Sequence, residues 1–138
     1  MPHVKLNGVL DLIRAWQEPP ALRFSIPEED LHVKFIESYL NSSRDVLLVR
    51  YVLVEGRLNQ TAHLLLAKAD GDEWVLKVDR SCPVLRTAGV KLLVATLAAW
   101  FQREGLVKTS STVEAYEVRG RFYAEHAERA GASALPPG

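Results

Sequence analysis

A chain of 138 residues with 48% hydrophobic and 25% charged residues has the length and composition of one ordinary globular domain, which argues against intrinsic disorder and leaves little room for a second core. Its 17 Lys and Arg balance 17 Asp and Glu, so the basic surface of a phosphate-binding protein is not expected, and neither is a nucleic-acid partner. The single cysteine, Cys82, has no intrachain partner, which excludes a stapled secreted scaffold and points to the cytoplasm.

The opening Met-Pro-His-Val-Lys-Leu-Asn-Gly lacks the apolar core of a signal peptide. The densest apolar stretch, Val90 to Phe101, contains Lys91 and is shorter than the roughly 20 residues of a membrane span, so no membrane association is expected. In chain order, Val9, Leu12, Ile13 and Trp16 recur at helical spacing after a cap at Asn7, and Pro19-Pro20 ends the pattern. Ala21 to Ile26 reads as extended. Ser25-Ile26-Pro27-Glu28 is a capping-box pattern and predicts a second helix, with Leu31, Phe35, Ile36, Tyr39 and Leu40 on its apolar face and Asn41-Ser42-Ser43 at its end.

Three β-rich runs follow, at 45–55, 57–69 and 73–80, separated by Glu55-Gly56 and Asp70-Gly71-Asp72. They predict an antiparallel meander. A three-residue loop at Ala69-Asp70-Gly71 pairs Leu66 with Trp74, Leu64 with Leu76 and Ala62 with Val78. A two-residue turn at Glu55-Gly56 adds Leu47, Val49, Tyr51 and Leu53 to the same apolar face. The other face is mixed, with Val46, Leu48, Val52, Val54, Leu65 and Val75 beside Arg50, Thr61, His63, Lys77 and Asp79. A slip of one residue in the first turn would exchange the faces of the first strand.

Ser81 and Pro83 are placed to start a long helix running from Val84 to Phe101, apolar nearly all round and therefore suited to lie buried across the sheet. Beyond Lys108 the pattern divides: 112–118 alternates like a strand, yet Ser111-Thr112-Val113-Glu114 is a further capping-box pattern. The pairs Glu117–Arg121 and Glu125–Arg129 favour helix over at least 122–130, and Gly120 weakens that helix by about 1 kcal/mol relative to alanine. The expected fold is thus α+β, an antiparallel three- to five-stranded sheet built on the meander at 45–80, with helices mainly on one face. Residues 1–131 form one domain in this reading and 132–138 a disordered tail.

Two groups of residues have chemical potential. Cys82 at a helix start, near Arg80 and Arg86, could serve as a nucleophile or redox thiol, although small buried cysteines are commoner. The polar part of the mixed face puts His63 opposite Lys77, and Thr61 opposite both Asp79 and Arg50. Arg50, Thr61, His63, Lys77 and Asp79 form the candidate binding patch, which a solvated face with an Arg50–Asp79 ion pair also explains. Cys82, His63, Lys77 and Asp79 are the catalytic candidates. His3, His32 and His126 have no second ligand at metal spacing, so neither a metal site nor a cofactor is expected.

The order helix, meander, helix, with Ala62 through Asp70-Gly71-Asp72 to Lys77-Val78-Asp79-Arg80, resembles the core of the restriction-endonuclease-like nucleases over residues 28–105 at most. That resemblance implies an acid on the second strand and Glu-x-Lys on the third. Here His63 or Leu64 stands at the first position and Lys77-Val78-Asp79 reverses the charges, so no catalytic residue carries over. The same order also resembles the small dimeric chaperones of bacterial secretion systems. The first functional expectation is a non-catalytic binding or assembly module, a homodimer with a protein partner. A small enzyme or thiol-redox protein is the second, and a catalytically dead nuclease-like fold that binds nucleic acid the third.

Overall fold

A computed structural model describes residues 1–129. Residues 130 and 131 and the tail expected at 132–138 lie outside the described residues. Along the chain come β1 (His3–Asn7), α1 (Leu12–Gln17), β2 (Leu22–Ile26), β3 (Leu31–Leu40), β4 (Val46–Glu55), β5 (Leu58–Lys68), β6 (Glu73–Val78), α2 (Ala88–Arg103), β7 (Val107–Ser111), α3 (Glu117–His126) and β8 (Glu128–Arg129). The strands form one antiparallel sheet in the order β7-β1-β6-β5-β4-β3-β2-β8, curled into a half-barrel. The α+β class and the antiparallel sheet are as expected, but the sheet is wider than three to five strands.

Part of the added width comes from 31–40, the strand β3. The helix expected there is replaced by a single 3-10 turn at Pro27–Glu29 and a ten-residue strand. Asp30, at φ 49, takes a left-handed conformation that ends the turn. Leu31 and Val33 then point inward while His32 and Lys34 point out, a period of two. With this helix absent, the order helix, meander, helix that carried both family resemblances is absent too.

The meander forms as expected, with each hairpin displaced by two residues in register. Leu66 pairs with Leu76 and Leu64 with Val78, while Leu47 pairs with Leu66 and Val49 with Leu64. An even displacement leaves every side chain on its expected face. The first turn is Gly56-Arg57, not Glu55-Gly56. Gly56, at φ 58, occupies the first central position, where a tight hairpin turn favours glycine.

The buried face combines Val4, Leu6, Leu47, Val49, Tyr51, Leu53, Leu64, Leu66 and Leu76 with α2, which is buried from Gly89 to Phe101 except at Lys91. α2 begins at Ala88, capped by Thr87, later than the expected start after Ser81. Ser81 turns back on Asp79, its N–H and hydroxyl both donating to Asp79 Oδ1, at 3.0 and 2.8 Å. Thr87 Oγ1 accepts from the Val90 N–H at 3.2 Å instead. Glu55, at the end of β4, accepts from the Thr87 hydroxyl and from the Gly89 N–H, placing a carboxylate at the positive end of the helix.

The first helix is shorter than expected, with Asp11 in place of Asn7 at the cap; it buries Leu12 and leaves Val9 83% exposed. The strand reading of 112–118 does not hold: the strand lies upstream at Val107–Ser111, Glu114–Tyr116 form a 3-10 turn, and the helix runs over Glu117–His126, ending before β8 and short of 130. Gly120 faces the backbone of Ala95 so closely that an added Cβ would lie 2.7 Å from the Ala95 carbonyl carbon.

Candidate functional site

The helices cover one face of the sheet, and the mixed face carries no second layer among the described residues. Strand register sorts that open face into cross-strand rows. One row runs Tyr39, Leu48, Leu65, Lys77, His3. A neighbouring row runs Val46, Ala67, Val75, Lys5. Most members of these two rows are half-buried apolar side chains that shield one another. Tyr39, at 48% exposed, and Ile36, at 43%, extend the apolar area along β3.

A polar row lies on the other side of Leu48: Glu37 and His63 both pair with Arg50, and the Asp79 N–H donates to the His63 carbonyl at 2.7 Å. Arg50 is ion-paired with Glu37 rather than with Asp79 as the sequence suggested, because residues 31–40 form the adjacent strand. Among the described residues, Arg50 Nε is buried with no hydrogen-bond partner. Of the expected patch, Arg50, His63 and Asp79 share this row and Lys77 stands one row away opposite Leu65. Thr61 pairs with Val52 on the far side, out of register with Asp79 and Arg50. His63 faces Arg50 instead of Lys77.

Cys82 is not at a helix start. It lies in the segment between β6 and α2, and this brings it to the end of the polar row. Ligand-capable atoms of His63, Asp79 and Cys82 all lie within 4.8 Å of one another. The segment is tied at both ends: the Cys82 N–H donates to the Asp79 carbonyl at 3.3 Å, and Gln60 exchanges two hydrogen bonds with the Leu85 backbone. The two Ser81 donors hold the Asp79 carboxyl below the ordinary carboxylate range, assisted by the charges of His63 and Lys77. Two groups that sequence spacing kept apart, the thiol and the polar patch, thus form one cluster.

Sequence reasoning missed Glu37 and Ser81. The alternation Leu31-His32-Val33-Lys34 was the available signal for Glu37, since it marks the strand that carries it. The signal for Ser81 was Asp79 two residues before it, the spacing of an Asx-turn.

No protein-family description, characterised protein or solved structure matches this chain. No helix among the described residues is long and apolar enough to cross a membrane.

Proposed function

We propose that this protein is a non-catalytic binding or assembly module that works as a homodimer, with the open sheet face as its interface. The observation that carries this reading is the pair of apolar rows around Leu48, Leu65 and Val75, which lie on the face opposite the helices. A second copy fits such a surface. β3, β4 and β5 are 10, 10 and 11 residues long. At about 3.3 Å per residue and about 4.8 Å between strands, β3 to β6 span a projected area of roughly 600 Å² on the curled sheet. A stable interface buries about 800 Å² on each partner, a similar size. The chain's formal charge of +0 gives two copies no net repulsion, and the polar row carries both signs.

Sedimentation of the full chain at micromolar concentration should give a dimer, and Leu48→Glu should give a folded monomer whose melting temperature, unlike that of the wild type, does not vary with protein concentration. A wild-type monomer under these conditions would remove the proposal.

A second reading, a small thiol enzyme, is favoured by the cluster itself, since Cys82, His63 and Asp79 have the residue types of a nucleophile, a base and an orienting acid. In that case iodoacetamide should alkylate the wild-type thiol at least about tenfold faster than that of His63→Gln at neutral pH. Equal rates would exclude base assistance.

A further inference from the structure

The cluster at the end of the polar row has a composition that protein–protein contact does not require. Imidazole, thiolate and carboxylate are the three commonest protein ligands of zinc, and three ligands with one open position is the pattern of an accessible zinc site. We propose that His63, Asp79 and Cys82 bind a thiophilic divalent cation, Zn²⁺ in the first instance, with a fourth position open to water or to a further ligand.

Geometry supports this. Bonds of about 2.0–2.3 Å in a tetrahedron place ligand atoms roughly 3.3–3.7 Å apart. The three candidate atoms stand within 4.8 Å of one another, so closure on an ion needs shifts of about 1 Å, within the reach of side-chain rotation. His63 is carried by the middle of β5, a rigid element with paired strands on both sides. Cys82 is carried by a segment fastened at Asp79 and at Gln60.

The supporting shell is also in place. Asp79 Oδ1 accepts both Ser81 donors, which orients the carboxylate and leaves Oδ2 for a cation. Among the described residues, neither His63 ring nitrogen nor the Cys82 sulfur has a hydrogen-bond partner, so binding displaces no hydrogen bond between them. On binding, the Cys82 S–H proton passes to solvent and an S–M bond forms. The ion's two positive charges are then balanced by thiolate and carboxylate. Glu37 already compensates Arg50, the cation next along the row, and Lys77 remains as the nearby opposing charge.

The test is a titration of the reduced, full-length chain with Co²⁺ and then Zn²⁺. Co²⁺ should produce a thiolate-to-cobalt charge-transfer band in the near ultraviolet and tetrahedral bands in the visible, saturating at one ion per chain. Zn²⁺ should abolish both. Cys82→Ser, nearly isosteric and in a partly exposed segment, should fold as the wild type does by circular dichroism. It should lose the near-ultraviolet band and bind Zn²⁺ at least about a hundredfold more weakly in competition with a chromophoric chelator, with His63→Gln also weakened. Absence of the charge-transfer band in the wild type, or equal Zn²⁺ affinity in wild type and Cys82→Ser, would overturn the site. Neither readout depends on dimerisation, so the two proposals stand or fall separately.

Discussion

The Tyr51 hydroxyl shows how one side chain fastens a distant segment to the sheet. Tyr51 is fully buried in β4, and its hydroxyl donates to the Pro20 carbonyl and accepts from the Leu22 N–H at 3.3 Å. Those two bonds dock the chain just where β2 begins. Tyr51→Phe removes the hydroxyl but leaves the Pro20 carbonyl its second donor, the Leu22 N–H at 2.9 Å, so it should cost about 0.5–1.5 kcal/mol, read as a lower urea midpoint with an unchanged slope. Asp79 makes a prediction of a different kind. Its carboxyl titrates below the ordinary range in the folded protein because of the Ser81 donors first and His63 and Lys77 second. A pKa depressed by folding contributes stability that is present above the unfolded value of about 3.9 and is lost as pH falls through the folded value. Urea midpoints measured from pH 7 downward should therefore fall less steeply below about pH 4 in Asp79→Asn than in wild type. Parallel profiles would mean that the Ser81 contact has no energetic weight.

Among the elements, α3 owes its position to a missing side chain. Alanine at 120 would favour the helix by about 1 kcal/mol. A methyl group there would lie 2.7 to 2.9 Å from backbone atoms of Ala95 and Thr96, which cannot rotate away. Overpacking of this sort typically costs about 1–3 kcal/mol, so Gly120→Ala should lower the melting temperature despite its better propensity. A rise would show that α3 can move away from α2 freely. From sequence, Gly120 read only as a weakness in a helix, because propensity is local and the approach of α2 is not.

The same limit explains β3. Leu31, Phe35 and Tyr39 are four residues apart, a spacing that satisfies one face of a helix and, being even, one face of a strand. Val33 and the polar residues at 32 and 34 separate the two, and they favour the strand. A bulge at Ile36 then moves Tyr39 to the open face, since Phe35 pairs with Tyr51 and Glu37 with Arg50. A bulge has no sequence mark strong enough to predict.

For the whole molecule, the meander and the buried helix were legible because their apolar runs are long and bounded by turn residues. The assignment of faces survived errors in both hairpins because each displacement was even. The cluster of His63, Asp79 and Cys82 was only half legible. His63 and Asp79 follow from strand pairing, but Cys82 joins them through the Asp79–Ser81 contact, where the start of α2 was expected.

The position of β1 in the sheet has a consequence for how the protein is made. Residues 3–7 lie between β6 and β7, with His3 opposite Lys77 and Val4 opposite Ser111. During synthesis this segment emerges well before either neighbour, so Val4 and Leu6 have no lasting shelter until residues 73–78 and 107–111 have followed. Closing the sheet is therefore a late, long-range event, of the sort that slows folding relative to local hairpins. Until it happens, β6 offers an unpaired edge to any other extended chain nearby, and misassembly during production should begin at that edge.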